Sequence, residues 1–222
     1  MDLSYPIRSI IPVAQGAVLE ILARTESPLT GRTIASLAGE RVSQSQVGRA
    51  LRGLVDSGLV LKREHPPAHL YVLNRDHVAA EAIEQLAGLR DTLIERMRLR
   101  IESWEIMPQA AWLFGSFARG EGGTGSDVDV LILAPDGVDG DDDRDGMSHP
   151  PHQEWTAQID RFCDDVYRCS GNDCRVVEFS RSEFEAMLDR GDRLAMDVSR
   201  DGIHLAGEPL PKRERSRRVG TW

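Results

Sequence analysis

The sequence predicts an α+β protein built as two modules with a long helix between them. Three observations predict it. Apolar residues recur at helical spacing in three short segments and then give way to two strand-like runs. An unbroken helical pattern fills His77 to about Trp104. From there to about residue 208, apolar runs alternate with helical stretches in the order strand, helix, strand, helix, strand, helix and short strand.

Composition bounds the partners. The chain has 222 residues, enough for one large domain or two small ones, and 41% of them are hydrophobic, enough for real cores. No apolar run approaches the roughly 20 residues that cross a bilayer, so no membrane partner is expected. The opening Met-Asp-Leu-Ser-Tyr-Pro lacks the basic and apolar regions of a signal peptide. Cys163, Cys169 and Cys174 are an odd number without metal-ligand spacing, which suits reduced thiols in a cytoplasmic protein. The net charge of −9 is unevenly spread. Residues 1–75 hold nine basic side chains against six acidic ones, a net of +3, which leaves −12 for the remainder. A basic head on an acidic body argues for two modules with different partners.

In chain order, Val13 to Arg24 is the first helix. Thr30 caps a second over Gly31–Ala38, which Gly39 ends. Ser43 or Ser45 starts a third, with Val47, Ala50, Leu51, Leu54 and Val55 on one stripe and Gly58 at its stop. Leu59–Glu64 and His69–Asn74 are strands joined through Pro66-Pro67. This order, over residues 1–75, resembles a winged helix-turn-helix. The resemblance implies DNA as a partner, with Ser43, Gln44, Ser45, Gln46, Arg49 and Arg52 of the third helix facing the major groove. Lys62 and Arg63 of the wing, with His65, would reach the phosphate backbone. A module used only for protein contacts or dimerisation is the alternative.

Residues 76–105 form the connector, one helix or two joined near Gly88. Its stripe of Ile83, Leu86, Leu89, Leu93, Ile94, Met97 and Ile101 would pack within the chain or against a twin in a homodimer. Residues 135–151, rich in Asp, Gly and Pro, read as a mobile acidic loop. Asp139, Asp141, Asp142 and Asp143 do not meet the EF-hand order, and His149 and His152 are expected to be surface residues rather than ligands. Glu154–Tyr167 is helical, Cys174–Ser180 a strand, Ser182–Arg190 a capped helix and Ile203–Gly207 a short strand. Residues 209–222 read as a flexible basic tail that touches nucleic acid or nothing.

The chemistry is written in residues 113–133, Leu-Phe-Gly-Ser-Phe-Ala-Arg-Gly-Glu-Gly-Gly-Thr-Gly-Ser-Asp-Val-Asp-Val-Leu-Ile-Leu. Alternate side chains of a strand share a face, so Asp127 and Asp129 point the same way and repel unless a cation joins them. Hard oxygen ligands beside a Gly115-Ser116 turn point to Mg²⁺ and a nucleoside triphosphate.

Gly115, Ser116, Ala118, Arg119, Gly120, Ser126, Asp127 and Asp129 together resemble the signature of the minimal nucleotidyltransferases, a branch of the DNA polymerase β-like superfamily. The resemblance implies a nucleotidyltransferase core over about residues 106–208, a mixed sheet with helices on one face. Gly115, Ser116, Arg119 and Ser126 would bind an NTP, with ATP the first expectation. Asp127 and Asp129 would bind Mg²⁺. Glu178, between apolar residues on a later strand, is the candidate third carboxylate, as metal ligand or base; an edge-strand glutamate facing water is the alternative. Arg119 would neutralise the leaving pyrophosphate or tie down the glycine-rich loop. Similar proteins include toxin–antitoxin components that AMPylate a partner toxin and others that modify tRNA, so a protein or RNA acceptor is expected. A transcriptional regulator that uses the fold as a nucleotide sensor or dimer platform is the second reading.

Overall fold

A computed structural model describes residues 1–40, 42–138 and 150–209, without the side chains of Pro150 and Pro151. Asp139, Asp141, Asp142, Asp143 and His149 of the expected acidic loop, and the expected basic tail from Leu210 onward, lie outside the described residues. The chain divides into two compact units. The first comprises Met1–Arg96, Gly120–Ser126 and Cys169–Asn172, and the second takes the remaining described residues.

In the first unit a 3-10 turn, Pro6–Ser9, precedes α1 (Val13–Ala23), β1 (Leu29–Thr30), α2 (Gly31–Ala38) and α3 (Gln44–Asp56). A hairpin, β2 (Val60–His65) and β3 (Ala68–Leu73), and α4 (Ala80–Ala87) follow. The antiparallel sheet runs β1-β3-β2. Side chains fix the helix starts. Thr30 Oγ1 accepts the Thr33 N–H at 3.1 Å, and α2 stops at Gly39 with φ +77°. Ser43 and Gln46 make a reciprocal capping box: Ser43 Oγ accepts from the Gln46 N–H, and Gln46 Oε1 accepts from the Ser43 N–H at 2.8 Å. Val18, Leu22, Ile34, Val47 and Leu51 are buried where the first three helices meet. Glu20 is buried among them, within 3.3 Å of Arg8 and 3.4 Å of Arg24, and burial raises its carboxyl pKa despite both arginines. β1 was not expected; two residues are too few to show an alternating pattern. The connector is two helices, α4 and α5 (Leu89–Glu102), with Gly88 between them.

The second unit is built on a four-stranded mixed sheet ordered β6-β5-β4-β7. β4 (Ala110–Phe114) and β5 (Val128–Leu133) are antiparallel, β6 (Cys174–Phe179) lies parallel to β5, and β7 (Ile203–Gly207) is antiparallel to β4. The helices are α6 (Gly115–Ala118), α7 (Pro150–Ser170), α8 (Arg181–Asp189) and α9 (Arg193–Asp201). Pro150 and Pro151, expected in the loop, belong to the first turn of α7.

The expectation of helices on one face is corrected. Phe184 and Met187 of α8 and Ala195 and Val198 of α9 pack on Ala110, Trp112, Leu131 and Leu133. On the other face, Trp155 of α7 donates its indole N–H to Glu178, and Cys163 of α7 lies beside Cys174. Both strand faces are apolar, as in Val-Leu-Ile-Leu of β5, so each needs a helical layer.

Candidate active site

The β4–α6 junction is a tight corner. Gly115 has φ +75°, a conformation that L side chains rarely adopt, and a Cβ there would run into the Asp129 carboxylate. Glycine therefore serves twice: it lets the chain turn from strand to helix, and it lets Asp129 stand against the backbone. Asp129 pairs with Phe114 of β4 on one side and with Arg175 of β6 on the other. Asp127 lies one residue before β5, half-buried, and its carboxylate receives Arg175 Nη2 at 2.9 Å.

Electrostatics tie the two aspartates together. Burial first, and the charge of Asp127 second, raise the pKa of Asp129; Arg175 and Arg119 pull it down. Asp127, Arg175 and Arg119 thus all act on Asp129.

A cavity of about 540 Å³ opens beside them, lined by Phe114, Gly115, Ser116, Arg119, Asp129, Asp192, Arg193, Leu194 and Asp197. The last four come from the start of α9, where Asp192 caps the helix by accepting the Leu194 N–H at 2.9 Å. Sequence reasoning missed this wall. The signal was present: Gly191-Asp192 is a stop and a cap, and Leu194, Ala195 and Val198 recur at helical spacing.

Gly115, Ser116, Arg119 and Asp129 therefore come together at one cavity. Ser126 belongs to the first unit, and its hydroxyl accepts the Gly123 N–H at 2.9 Å within the glycine-rich loop. Buried Asn172 donates to the carbonyls of Thr124 and Ser126 and so fixes that loop.

Glu178 is a correction. It pairs with Ile132, so it stands on the α7 face, whereas Asp129 and Arg175 stand on the α8–α9 face. Its carboxylate accepts the Trp155 indole N–H at 2.6 Å. Two carboxylates of hard oxygen, with Asp129 partly desolvated and repelled by Asp127, suit one divalent cation, and Glu178 does not join them. Among the described residues, no group of three or more His, Cys, Asp or Glu is gathered as a metal site.

The residues expected at DNA are exposed in the first unit, on α3 and β2. Ser43 and Gln46 are engaged in the capping box, and Ser45 Oγ lies 3.0 Å from Ser43 Oγ. Ser45, Arg49 and Arg52 share one face of α3 at helical spacing. Among the described residues, no helix is long and apolar enough to cross a membrane.

Residues 91–189 match the family model described as a nucleotidyltransferase domain, which supports nucleotidyl transfer as the general activity. The match spans β4, α6, β5 and β6, and with them Gly115, Ser116, Asp127 and Asp129. No curated protein and no solved structure matches the chain.

Proposed function

We propose that the chain is a Mg²⁺-dependent nucleotidyltransferase that moves an NMP from an NTP, ATP foremost, to a protein or RNA acceptor. Its N-terminal module would act as a winged helix-turn-helix on DNA, in keeping with a toxin–antitoxin component that regulates its own expression. The observation that carries the reading is the cavity where Gly115, Ser116, Arg119 and Asp129 meet.

The acceptor oxygen attacks the α-phosphorus, a new P–O bond forms, and the bond to the β-phosphate bridging oxygen breaks. Pyrophosphate leaves, and the acceptor proton passes to solvent. Asp127 and Asp129 would hold a divalent ion, which would supply charge stabilisation during transfer. The Ser116 hydroxyl and backbone amides at the corner orient the triphosphate, and Arg119 offsets charge on the departing pyrophosphate. Ser45, Arg49 and Arg52 present hydrogen-bonding groups from one face of α3, suited to base edges and phosphates.

The test is incubation with each α-³²P-NTP, Mg²⁺ and cell lysate, reading label on protein or RNA. Asp127→Asn and Asp129→Asn are expected to abolish the label while leaving the fold intact. Undiminished labelling by either variant would overturn the assignment.

One observation favours the second reading, a regulator whose nucleotidyltransferase fold senses nucleotide: Glu178 faces away from the aspartates, and Arg175 stands beside Asp129. Label on nothing, together with specific promoter binding, would select it.

A further inference from the structure

We propose that Arg175 is a resident counter-cation of the aspartate pair, so that the site binds one divalent ion, taken up in competition with the Arg175 guanidinium. The inference rests on the nucleotidyltransferase reading of the site and concerns how that site is charged.

The strand register is the first observation. β5 and β6 run parallel with Asp129 opposite Arg175, Leu131 opposite Val177 and Leu133 opposite Phe179. In a parallel pair, partners side by side point to the same face. The β6 positions on the aspartate face are therefore Arg175, Val177 and Phe179; Cys174, Val176 and Glu178 lie on the reverse. A cation thus occupies the β6 position beside Asp129.

The second observation is the ion pair itself. Arg175 Nη2 is 2.9 Å from Asp127 Oδ2, with 71% of the arginine side chain exposed against 24% for the aspartate. The arginine reaches in from solvent; it is not a buried strut. An exposed pair of this kind is held weakly and exchanges readily. Arg119, at the end of α6, also lies within the field of Asp129. Arg175 and Arg119 thus set two guanidinium charges against the two aspartates, while Asp192, Arg193 and Asp197 line the same cavity.

Ligand supply is the third argument. Mg²⁺ demands six oxygen ligands near octahedral geometry and is commonly held by one or two carboxylates, waters and substrate phosphates. Asp127 and Asp129 can serve one such ion. Asp192 and Asp197 line the same cavity, but among the described residues no third carboxylate is gathered with the pair as a metal site. A second ion would therefore have to share Asp127 and Asp129 while a guanidinium sits on one of them. When the single ion enters, Arg175 yields its place on Asp127, and its exposed stem leaves it free to turn toward solvent or an incoming anion.

The experiment is a Mn²⁺ titration of the full chain without nucleotide, followed by the electron paramagnetic resonance signal of free Mn²⁺. Wild type is expected to take up one ion per chain. Arg175→Met, which keeps the stem and removes the charge, should bind it at least tenfold more tightly. Arg175→Glu should bind two. Asp129→Asn should lose the ion, and circular dichroism should show all variants folded, since the Arg175 side chain is mostly exposed. Two ions on wild type, equal affinity in Arg175→Met, or binding unaffected by Asp129→Asn would each overturn the proposal. Failure of this inference and failure of the enzyme reading are distinguishable. Transfer of label by a wild-type protein that holds two ions sinks this inference alone. One ion with no label transferred leaves it standing and sinks the enzyme.

Discussion

Gly115 and Asp129 are built against each other: the glycine turns the chain out of β4 at φ +75°, and the aspartate carboxylate fills the space where its Cβ would lie. The first turn of α6 and a cavity-lining carboxylate are therefore one structural decision, made by a residue that has no side chain.

Gly115→Ala should damage both stability and chemistry. A left-handed conformation at a non-glycine residue costs about 1–3 kcal/mol, and the new methyl group must displace Asp129. Chemical denaturation should show a destabilisation in that range, with transfer reduced at least as severely as in Asp129→Asn. The same substitution at Gly120, whose φ is +73° but whose Cβ would meet open space, should affect stability without the loss of transfer.

Asp129 gives a pH dependence with a definite sign. Burial and the charge of Asp127 raise its folded pKa above the unfolded value. A group of this kind contributes stability that is fully present below the unfolded pKa and is lost as pH rises through the folded one. Asp129→Asn, neutral at every pH, should therefore melt higher than the metal-free wild type near pH 7. The difference should vanish when both are acidified below the carboxylate range. The rise should be roughly 1–3 °C, the small figure reflecting solvent screening of a half-exposed group. A variant that loses its activity and gains stability marks a site kept for function. A lower melting temperature for Asp129→Asn at pH 7 would contradict the electrostatic account.

Glu178 should be dispensable for chemistry. Gln at 178 still offers an oxygen to the Trp155 indole N–H, so Glu178→Gln should keep both the melting temperature and the transfer rate. Glu178→Ala leaves that donor without its partner and should cost about 1–3 kcal/mol, with kcat of the remaining folded protein unchanged. A loss of kcat in Glu178→Gln would return the residue to the catalytic set.

The exposed face of α3 can be tested separately. Arg49→Ala and Arg52→Ala should leave stability within about 0.5 kcal/mol, because both residues are exposed. Each should weaken binding to the chain's own promoter and reduce the salt slope of that binding by about 1 for every phosphate no longer neutralised. Ser43→Ala should act differently, costing about 1 kcal/mol of stability through removal of the helix cap. Unchanged promoter affinity in the double arginine variant would remove DNA as the partner of this face.

What the sequence disclosed and what it hid follow from the reach of each interaction. Caps and stops act over three or four residues, so Thr30 and Gly39 were legible as helix boundaries and Ser43 as one of two candidate starts with Ser45; Thr30, Gly39 and Ser43 each stand at a boundary. The alternation of Asp127 and Asp129 is equally local, and so is the turn at Gly115. The facing of Glu178 is not. Alternation along β6 showed that Cys174, Val176 and Glu178 share a side, but which side meets Asp129 depends on pairing with a strand more than forty residues earlier. Apolar residues stand on both sides of β6, at Val176 and at Val177, so hydrophobicity alone did not choose. Helix α9 escaped for a different reason. Its nine residues carry four charges, and only Leu194, Ala195, Met196 and Val198 offered a pattern to read.

The parallel pairing of β5 and β6 carries an evolutionary corollary. Side chains on a strand change sides with every residue, so deleting one amino acid from the Gly171–Asp173 turn would rotate the whole of β6 by half a step. Valines would trade places with little penalty, Arg175 would leave the aspartates, and an acidic side chain would swing toward them. Relatives of this chain that differ by a single codon at that turn would thus set a valine opposite Asp129 and bring the glutamate onto the same face one pair further along.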